Sequence, residues 1–271
     1  MIMKKFSLLS LCFLLILSVG CKEENKTTTN ENAPIEQENS NSTTFNYSIK
    51  NISKSTLATC KRNPCPQMDI KYLYITNDSN IGEKINKANE ENLSSIVQTP
   101  NDSISYKKID DGVNKFIEDY ISFKNEFPES PAVYELKIDQ EQLFENNQTL
   151  VYSTTFYTYT GGAHGYGAKL YHTYDKNTGE IVTNEELLKN KNAFKAYAEG
   201  MFRKKFNLTE NESLNKNGFF FENDEFKLAE NIAVTKDSLY MIYNAYEAAS
   251  YAEGDIKFSF PKEDVEAWLN Q

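Results

Sequence analysis

The 271-residue sequence predicts an α+β fold: antiparallel sheets with helices packed on one face, arranged as two small subdomains. Three observations predict it. Strand-like and helix-like segments come in blocks and not in strict alternation. Most strand-like segments alternate apolar and polar residues, the pattern of antiparallel strands with one wet face. The chain from about residue 45 onward is long enough for one large domain or two small ones.

In chain order, Phe45 to Ile49 and Met68 to Ile75 alternate and read as strands. Ser79 to Val97 reads as a helix with Ile81, Ile85, Ala88, Leu93 and Ile96 on one stripe. A second helix places Ile109, Val113, Phe116, Ile117, Tyr120 and Ile121 at core-facing spacing, and Pro128 and Pro131 close that region. Tyr134, Leu136 and Ile138 alternate with Glu135, Lys137 and Asp139 as a strand with one wet face. Leu150 to Tyr159 is rich in Thr, Tyr, Phe and Val, which favour strands. A glycine loop follows, then a strand from about Lys169 to Tyr174, then the turn Asp175-Lys176-Asn177-Thr178-Gly179. Thr183 and Glu186 form a capping box that opens a short helix through Leu187 and Leu188, and Ala193 to Phe206 is a further helix. Ile232 to Thr235, Leu239 to Tyr243 and Ile256 to Phe260 read as strands, with a loop from Asn244 to Gly254 and a closing helix from Val265 to Leu269.

The chain opens with Lys4 and Lys5 and an apolar run from about Leu8 to Val19, too short for a comfortable membrane span, so residues 1–20 read as a secretory signal. Leu17-Ser18-Val19-Gly20-Cys21 resembles the lipobox of bacterial lipoproteins, although its leucine stands four residues before the cysteine where three is usual. The resemblance implies cleavage before Cys21 and acylation of it with palmitate-type chains, which would tether the protein to a membrane. Residues 21–44 are dominated by Asn, Thr, Glu, Gln and Ser and read as a disordered acidic, polar tether, because such a composition buries too little apolar surface to offset chain entropy. Its Cys-Lys-Glu-Glu start resembles the signal that exports some Bacteroidetes lipoproteins to the cell surface. The location expected is the cell envelope, lipid-anchored, with the outer membrane or cell surface as the candidate places. The remaining expected divisions are residues 45–146 and residues 147–271.

The formal charge is −10, and removal of Lys4 and Lys5 with the signal makes the exported chain more acidic still. That balance argues against nucleic acid, whose binding is driven by Lys and Arg on phosphate. It serves solubility and suits a basic protein partner. Of the four cysteines, Cys12 leaves with the signal and Cys21 is the lipid site. Cys60 and Cys65 flank a short Lys-Arg-Asn-Pro loop and, in an exported chain, read as a local disulfide. A zinc site there would need further ligands, and none lies nearby in the sequence.

The stretch from Tyr157 to Gly167, YTYTGGAHGYG, holds His164, one of two histidines. A histidine base needs a nucleophile and commonly an orienting carboxylate, and no G-x-S-x-G elbow, reactive cysteine or H-E-x-x-H accompanies it. No metal set and no cofactor is expected. The structural reading is a glycine-shaped connection between strands whose histidine bonds backbone groups. His172 shares strand parity with Leu170 and Tyr174 and reads as a partly buried, hydrogen-bonded histidine.

Together, Tyr159-Thr160-Gly161-Gly162-Ala163-His164-Gly165, Tyr174-Asp175-x-x-Thr178-Gly179 and Tyr243-Asn244-x-Tyr246-Glu247-x-x-x-Tyr251-Ala252-x-Gly254 resemble the C-terminal domain of the RsiV family of anti-sigma factors. Pro66 to Val97 resembles the start of the PdaC-type, deacetylase-associated domain that precedes it in that family. The resemblance spans roughly residues 60 to 271 and assigns 45–146 as PdaC-like and 147–271 as RsiV-like. It implies a binding module: the best understood relative uses this region to bind lysozyme, and others sit beside deacetylases without supplying the active site. No cytoplasmic anti-sigma segment precedes the apolar stretch, so a sigma-factor role is not carried over.

The expected function is therefore a membrane-tethered lipoprotein with a non-catalytic binding module for a protein, such as a lysozyme, or a peptidoglycan ligand. The expected ligand-binding residues are Tyr157, Tyr159, His164, Tyr166, Tyr246 and Tyr251, since tyrosine offers contact area with a polar tip. Gly161, Gly162, Ala163, Gly165, Asp175, Gly179, Glu247 and Gly254 are expected to shape the motifs. The alternative is an envelope enzyme acting on peptidoglycan or another glycan with His164 and an acidic residue.

Overall fold

The computed structural model describes residues 44–61, 64–98 and 105–270. The expected signal peptide, the lipid site Cys21 and nearly all of the tether lie outside these residues. Strand β1 (Tyr47–Ser53) pairs antiparallel with β2 (Gln67–Ile75), and Cys60 and Cys65 are bonded in the connection between them. Helices α1 (Asn80–Val97) and α2 (Ile109–Glu126) follow, the first capped by the Ser79 side chain accepting from the Gly82 amide at 3.0 Å. Strands β3 (Glu135–Glu145), β4 (Thr149–Tyr159) and β5 (Tyr166–Asp175) complete a five-stranded sheet of order β1-β2-β3-β4-β5.

The fold is α+β, but this sheet is mixed, not antiparallel: β2 and β3 run parallel. The helical pair explains it, because a parallel neighbour requires a long crossover connection and α1 with α2 supplies one. Both helices cover one face. Ile70, Leu93, Val113, Phe116, Ile117, Leu136 and Ile138 are buried together there. The boundary expected at 146/147 falls in the turn between β3 and β4, so β4 and β5 finish the first sheet. That turn is set by Asn146, whose side-chain oxygen accepts from the Gln148 and Thr149 amides at 2.8 and 2.6 Å.

Buried amide side chains take over where strand pairing stops. The β2–β3 register ends at Lys71, opposite Asp139. Beyond it, the Asn86 side chain donates to Ile75 O and accepts from Ile75 N, both at 2.8 Å. Asn89 and Gln140 bond each other at 2.8 and 2.9 Å, and Gln140 also accepts from the Leu73 amide at 3.2 Å. Left bare in this setting, each of these backbone groups would cost about 1–3 kcal/mol. Asn86 and Asn89 are thus as buried as the apolar stripe of α1. At the N-terminal end of the sheet, the buried Lys176 ammonium meets Glu145 at 2.5 Å and lies over the Phe45 ring, while the Tyr47 hydroxyl donates to the same carboxylate at 2.8 Å.

The chain after β5 passes through the short capping-box helix α3 (Asn184–Leu187) and α4 (Lys191–Lys205) to a three-stranded antiparallel sheet. Its strands are β6 (Asn231–Val234), β7 (Ser238–Tyr243) and β8 (Ile256–Pro261), in that order. Helix α4 covers one face through Phe194, Ala198 and Phe202, which pack with Met241, Phe258 and Phe260. The closing helix α5 (Lys262–Val265) begins earlier than the sequence reading placed it and ends in a 3₁₀ turn, Glu266–Trp268.

The two sheets meet at β5. Asn231 accepts from the Tyr171 amide at 2.7 Å and donates to Lys169 O, and Asn244 accepts from the Lys169 amide at 2.9 Å. Further along, the Val182 amide donates to Thr173 O at 2.8 Å. The outer edge of β5 is therefore closed by side chains and by the chain that follows it, not by another strand. The described residues form one compact unit, and among them no helix is long and apolar enough to cross a membrane.

His172 is partly buried, as its strand parity implies, but its buried Nδ1 has no hydrogen-bond partner among the described residues, which departs from the reading of a hydrogen-bonded ring. Burial pulls its pKa from the ordinary 6.5 down to about 4. The folded state thus holds the ring neutral while the unfolded chain protonates. Stability from this group is present above pH 6.5 and is lost as the pH falls toward 4. The loss amounts to roughly 3 kcal/mol at 1.36 kcal/mol per pKa unit. Urea unfolding at about pH 7 and about pH 4 should show wild type losing roughly that much more than a His172→Phe variant; equal losses would contradict the assignment.

Candidate functional site

The YTYTGGAHGYG stretch is the β4–β5 hairpin connection, with Thr158 still paired to Tyr166 at its base. Gly161 and Gly162 hold φ of 101° and 90°, which turns the chain back with no side chain to resist it. The Tyr159 hydroxyl donates to Gly162 O at 3.1 Å and braces the turn from within. Gly165 is required for a different reason. A Cβ there would lie 2.6 Å from Thr158 O and closer still to the Tyr157 hydroxyl, so the loop folds directly over the Tyr157 ring.

His164 projects from this loop and is exposed. Its Nδ1 lies 2.9 Å from Gly165 O, a carbonyl that can only accept, so this nitrogen carries the proton. Nε2 is then the acceptor and faces the Tyr246 hydroxyl at 3.5 Å. Neither nitrogen is hydrogen-bonded to a carboxylate among the described residues, so the ring lacks the orienting acid of a catalytic base. The ring instead stacks on Tyr251, centroids 4.2 Å apart and planes 18° from parallel. Tyr246 adds a third ring, 5.6 Å from Tyr251. Tyr246 and Tyr251 are 53% and 38% exposed, so the three rings form a shelf open to solvent.

The turn from Asn244 to Ala249 carries Tyr246 at φ 73°, an unfavourable backbone for a bulky residue. The turn is held by the Tyr246 amide donating to Ala249 O at 3.0 Å, and by Glu247 accepting from both the amide and the side chain of Asn244, at 3.0 and 3.3 Å. Asn244 in turn grips β5 at Lys169. Gly254 ends the 3₁₀ turn Tyr251–Glu253 that presents Tyr251. The shelf thus unites two loops far apart in sequence, with the Asn244 side chain as their link.

Of the expected ligand-binding residues, His164, Tyr246 and Tyr251 meet on the shelf. Tyr159 braces the loop and Tyr157 lies beneath Gly165. Tyr166 packs edge-on against Phe156 at 5.9 Å, and burial, then the Glu247 and Asp255 carboxylates, push its hydroxyl pKa up. Ala163 is an exposed loop residue. Asp175 and Gly179 belong to the other end of β5: Asp175 accepts from the Asn177 and Thr178 amides at 2.6 and 3.1 Å, and the turn docks on α1, where Lys84 donates to Thr178 O at 3.1 Å. Among the described residues no cluster of His, Cys, Asp and Glu could hold a metal ion. Sequence reasoning missed Asn231, which carries no motif signal. It quoted Asn244 within a motif without giving it a role.

Such an arrangement is suited to recognition. Stacked aromatic faces with hydroxyl edges can bind cations and flat apolar surfaces, and Glu247 and Glu253 stand next to or two residues from Tyr246 and Tyr251 in the sequence. Gly165→Ala should lower stability by about 1–3 kcal/mol and disorder the loop, because the backbone at Thr158 must move to admit the methyl group. Thermal unfolding together with the His164 imidazole NMR signals checks this, and an unchanged variant would show that Gly165 is dispensable.

Comparison with known proteins accords with this architecture. Residues 59–166 match the family described as Deacetylase PdaC, and residues 180–263 match the family described as Protein of unknown function (DUF3298). The crystal structure of a DUF3298 family member from Bacteroides fragilis is similar, with TM-score 0.63 and 17% identity over 84% of this chain and 94% of that one. A DUF3298 family protein from Pseudomonas aeruginosa is similar with TM-score 0.54 and 15% identity, over 84% of this chain and 96% of its own. Identities this low show likeness of fold alone. No curated protein matches the chain significantly. The chain thus matches a PdaC model and then a DUF3298 model along its length, a pair that points to an extracytoplasmic envelope domain.

Proposed function

We propose that this protein is a lipid-anchored envelope lipoprotein that binds a basic, lysozyme-like protein through the His164–Tyr251–Tyr246 shelf, without catalysing a reaction there. The observation that carries the reading is the exposed three-ring stack built on a strained, braced turn. Large aromatic rings left clustered in solvent are the usual anchors of protein recognition. The net charge of −10 draws a basic partner and raises its encounter rate. Cations fit the shelf itself, because Lys and Arg side chains bind tyrosine faces. The lipobox-like Leu17 to Cys21 segment supports the anchor, and residues 21–44 would give the binding region reach from the membrane.

Binding of the full chain to a lysozyme, measured by calorimetry, tests the proposal. Tyr246→Ala and Tyr251→Ala should each weaken binding about tenfold or more with the fold intact, and wild-type binding should weaken as salt rises. Undiminished affinity in the double variant, or capture of peptidoglycan in place of lysozyme, would overturn it.

A further inference from the structure

The C-terminal half holds a bowl of about 480 Å³. It lies between the segment leading into β6 and the end of β7. Its size falls within the range of small-ligand pockets. The floor is aromatic: Phe221, Phe226 and Tyr243 pack against one another at centroid distances of 5.4 to 6.4 Å. Phe220, 48% exposed, stands at its side. The rim is charged and unbalanced. Glu222, Glu225, Glu230 and Glu247 face only Lys195 and Lys227. Lys227 is engaged with Glu230 at 3.0 Å, and no ion pair among the described residues involves Glu222 or Glu225.

The rim is also preformed. Asn223 and Asp224, between the two free glutamates, hold φ of 54° and 60°. Asp224 is fixed by accepting from Ser213 Oγ and the Asn215 amide, both at 3.0 Å. Asn215 clasps the Phe221 backbone, donating to its carbonyl at 2.9 Å and accepting from its amide at 2.7 Å. A left-handed pair costs about 1–3 kcal/mol per residue and persists only where its surroundings hold it. Here it holds Glu222 and Glu225 exposed on the rim while Phe221 and Phe226 on either side of them are buried in the core.

We propose that this bowl binds an organic cation, a primary ammonium on a ring-sized apolar body, with the ammonium between Glu222 and Glu225 and the body on the Phe220–Phe226 wall. The site adjoins the turn that carries Tyr246, with Glu247 on the border, but uses none of the three shelf rings and does not rest on the lysozyme reading. Titration of the full chain with phenethylammonium, followed by ¹H–¹⁵N NMR, should give saturable shifts at the Phe221, Phe226 and Tyr243 amides. A Glu222→Gln/Glu225→Gln double variant, both positions being exposed, should keep the fold and weaken the probe about fivefold. The anionic analogue 3-phenylpropionate should bind at least about tenfold more weakly, and Tyr251→Ala should leave the probe's affinity unchanged. Equal binding of the two probes, an unaffected double variant, shifts that never saturate, or loss of binding in Tyr251→Ala would each overturn the assignment.

Discussion

Two asparagine side chains on the outer edge of β5 decide how this molecule is put together. An edge strand exposes a row of amides and carbonyls that water or another strand must satisfy. Here Asn231 and Asn244, from the three-stranded sheet, take Lys169 and Tyr171. Both asparagines are buried, so losing either would leave polar groups on both sides without partners, at about 1–3 kcal/mol each. The same bonds cap β5 against pairing with other chains and bind the second sheet to the first. The apolar clusters of the first sheet, packed under α1 and α2, and the cluster under α4 thereby become a single compact unit.

The shelf follows from that junction. Asn244 is at once the clamp on β5 and the residue that orders Glu247 and the turn carrying Tyr246. The glycine hairpin brings His164 from the other side, and its ring stacks directly on Tyr251. Tyr246 accepts a left-handed backbone that costs about 1–3 kcal/mol. That cost is met by the hydrogen bonds of the turn and yields no burial for the Tyr246 ring. Such a residue is better explained by what it presents than by what it packs against.

Much of the fold was legible in the sequence because it rests on periodicity. The amphipathic strands, the stripe of α2 and the Thr183–Glu186 capping box are local patterns with local causes. The parallel pairing of β2 with β3 was not legible, since alternation has no direction and the direction depends on the helical connection. Nor was the role of Asn86, Asn89 and Asn231: a polar residue on a helix or strand reads as solvated until its backbone partner is known. The polar run at 145–148 is the hairpin turn between β3 and β4, and the pairing across it depends on strands whose partners sequence alone does not name. The site was half legible. His164, Tyr246 and Tyr251 stood out as aromatic motifs, but their meeting depends on long-range docking and on one unfavourable φ.

Native-state hydrogen exchange on the full chain tests the asparagine junction most directly. If Asn231 and Asn244 weld the two sheets, the Lys169 and Tyr171 amides and those of β7, Met241 among them, will exchange only through opening of the whole compact unit, at one shared free energy. Opening of β6 to β8 at a lower free energy, with β4 and β5 still protected, would show that the junction holds little and would contradict the account.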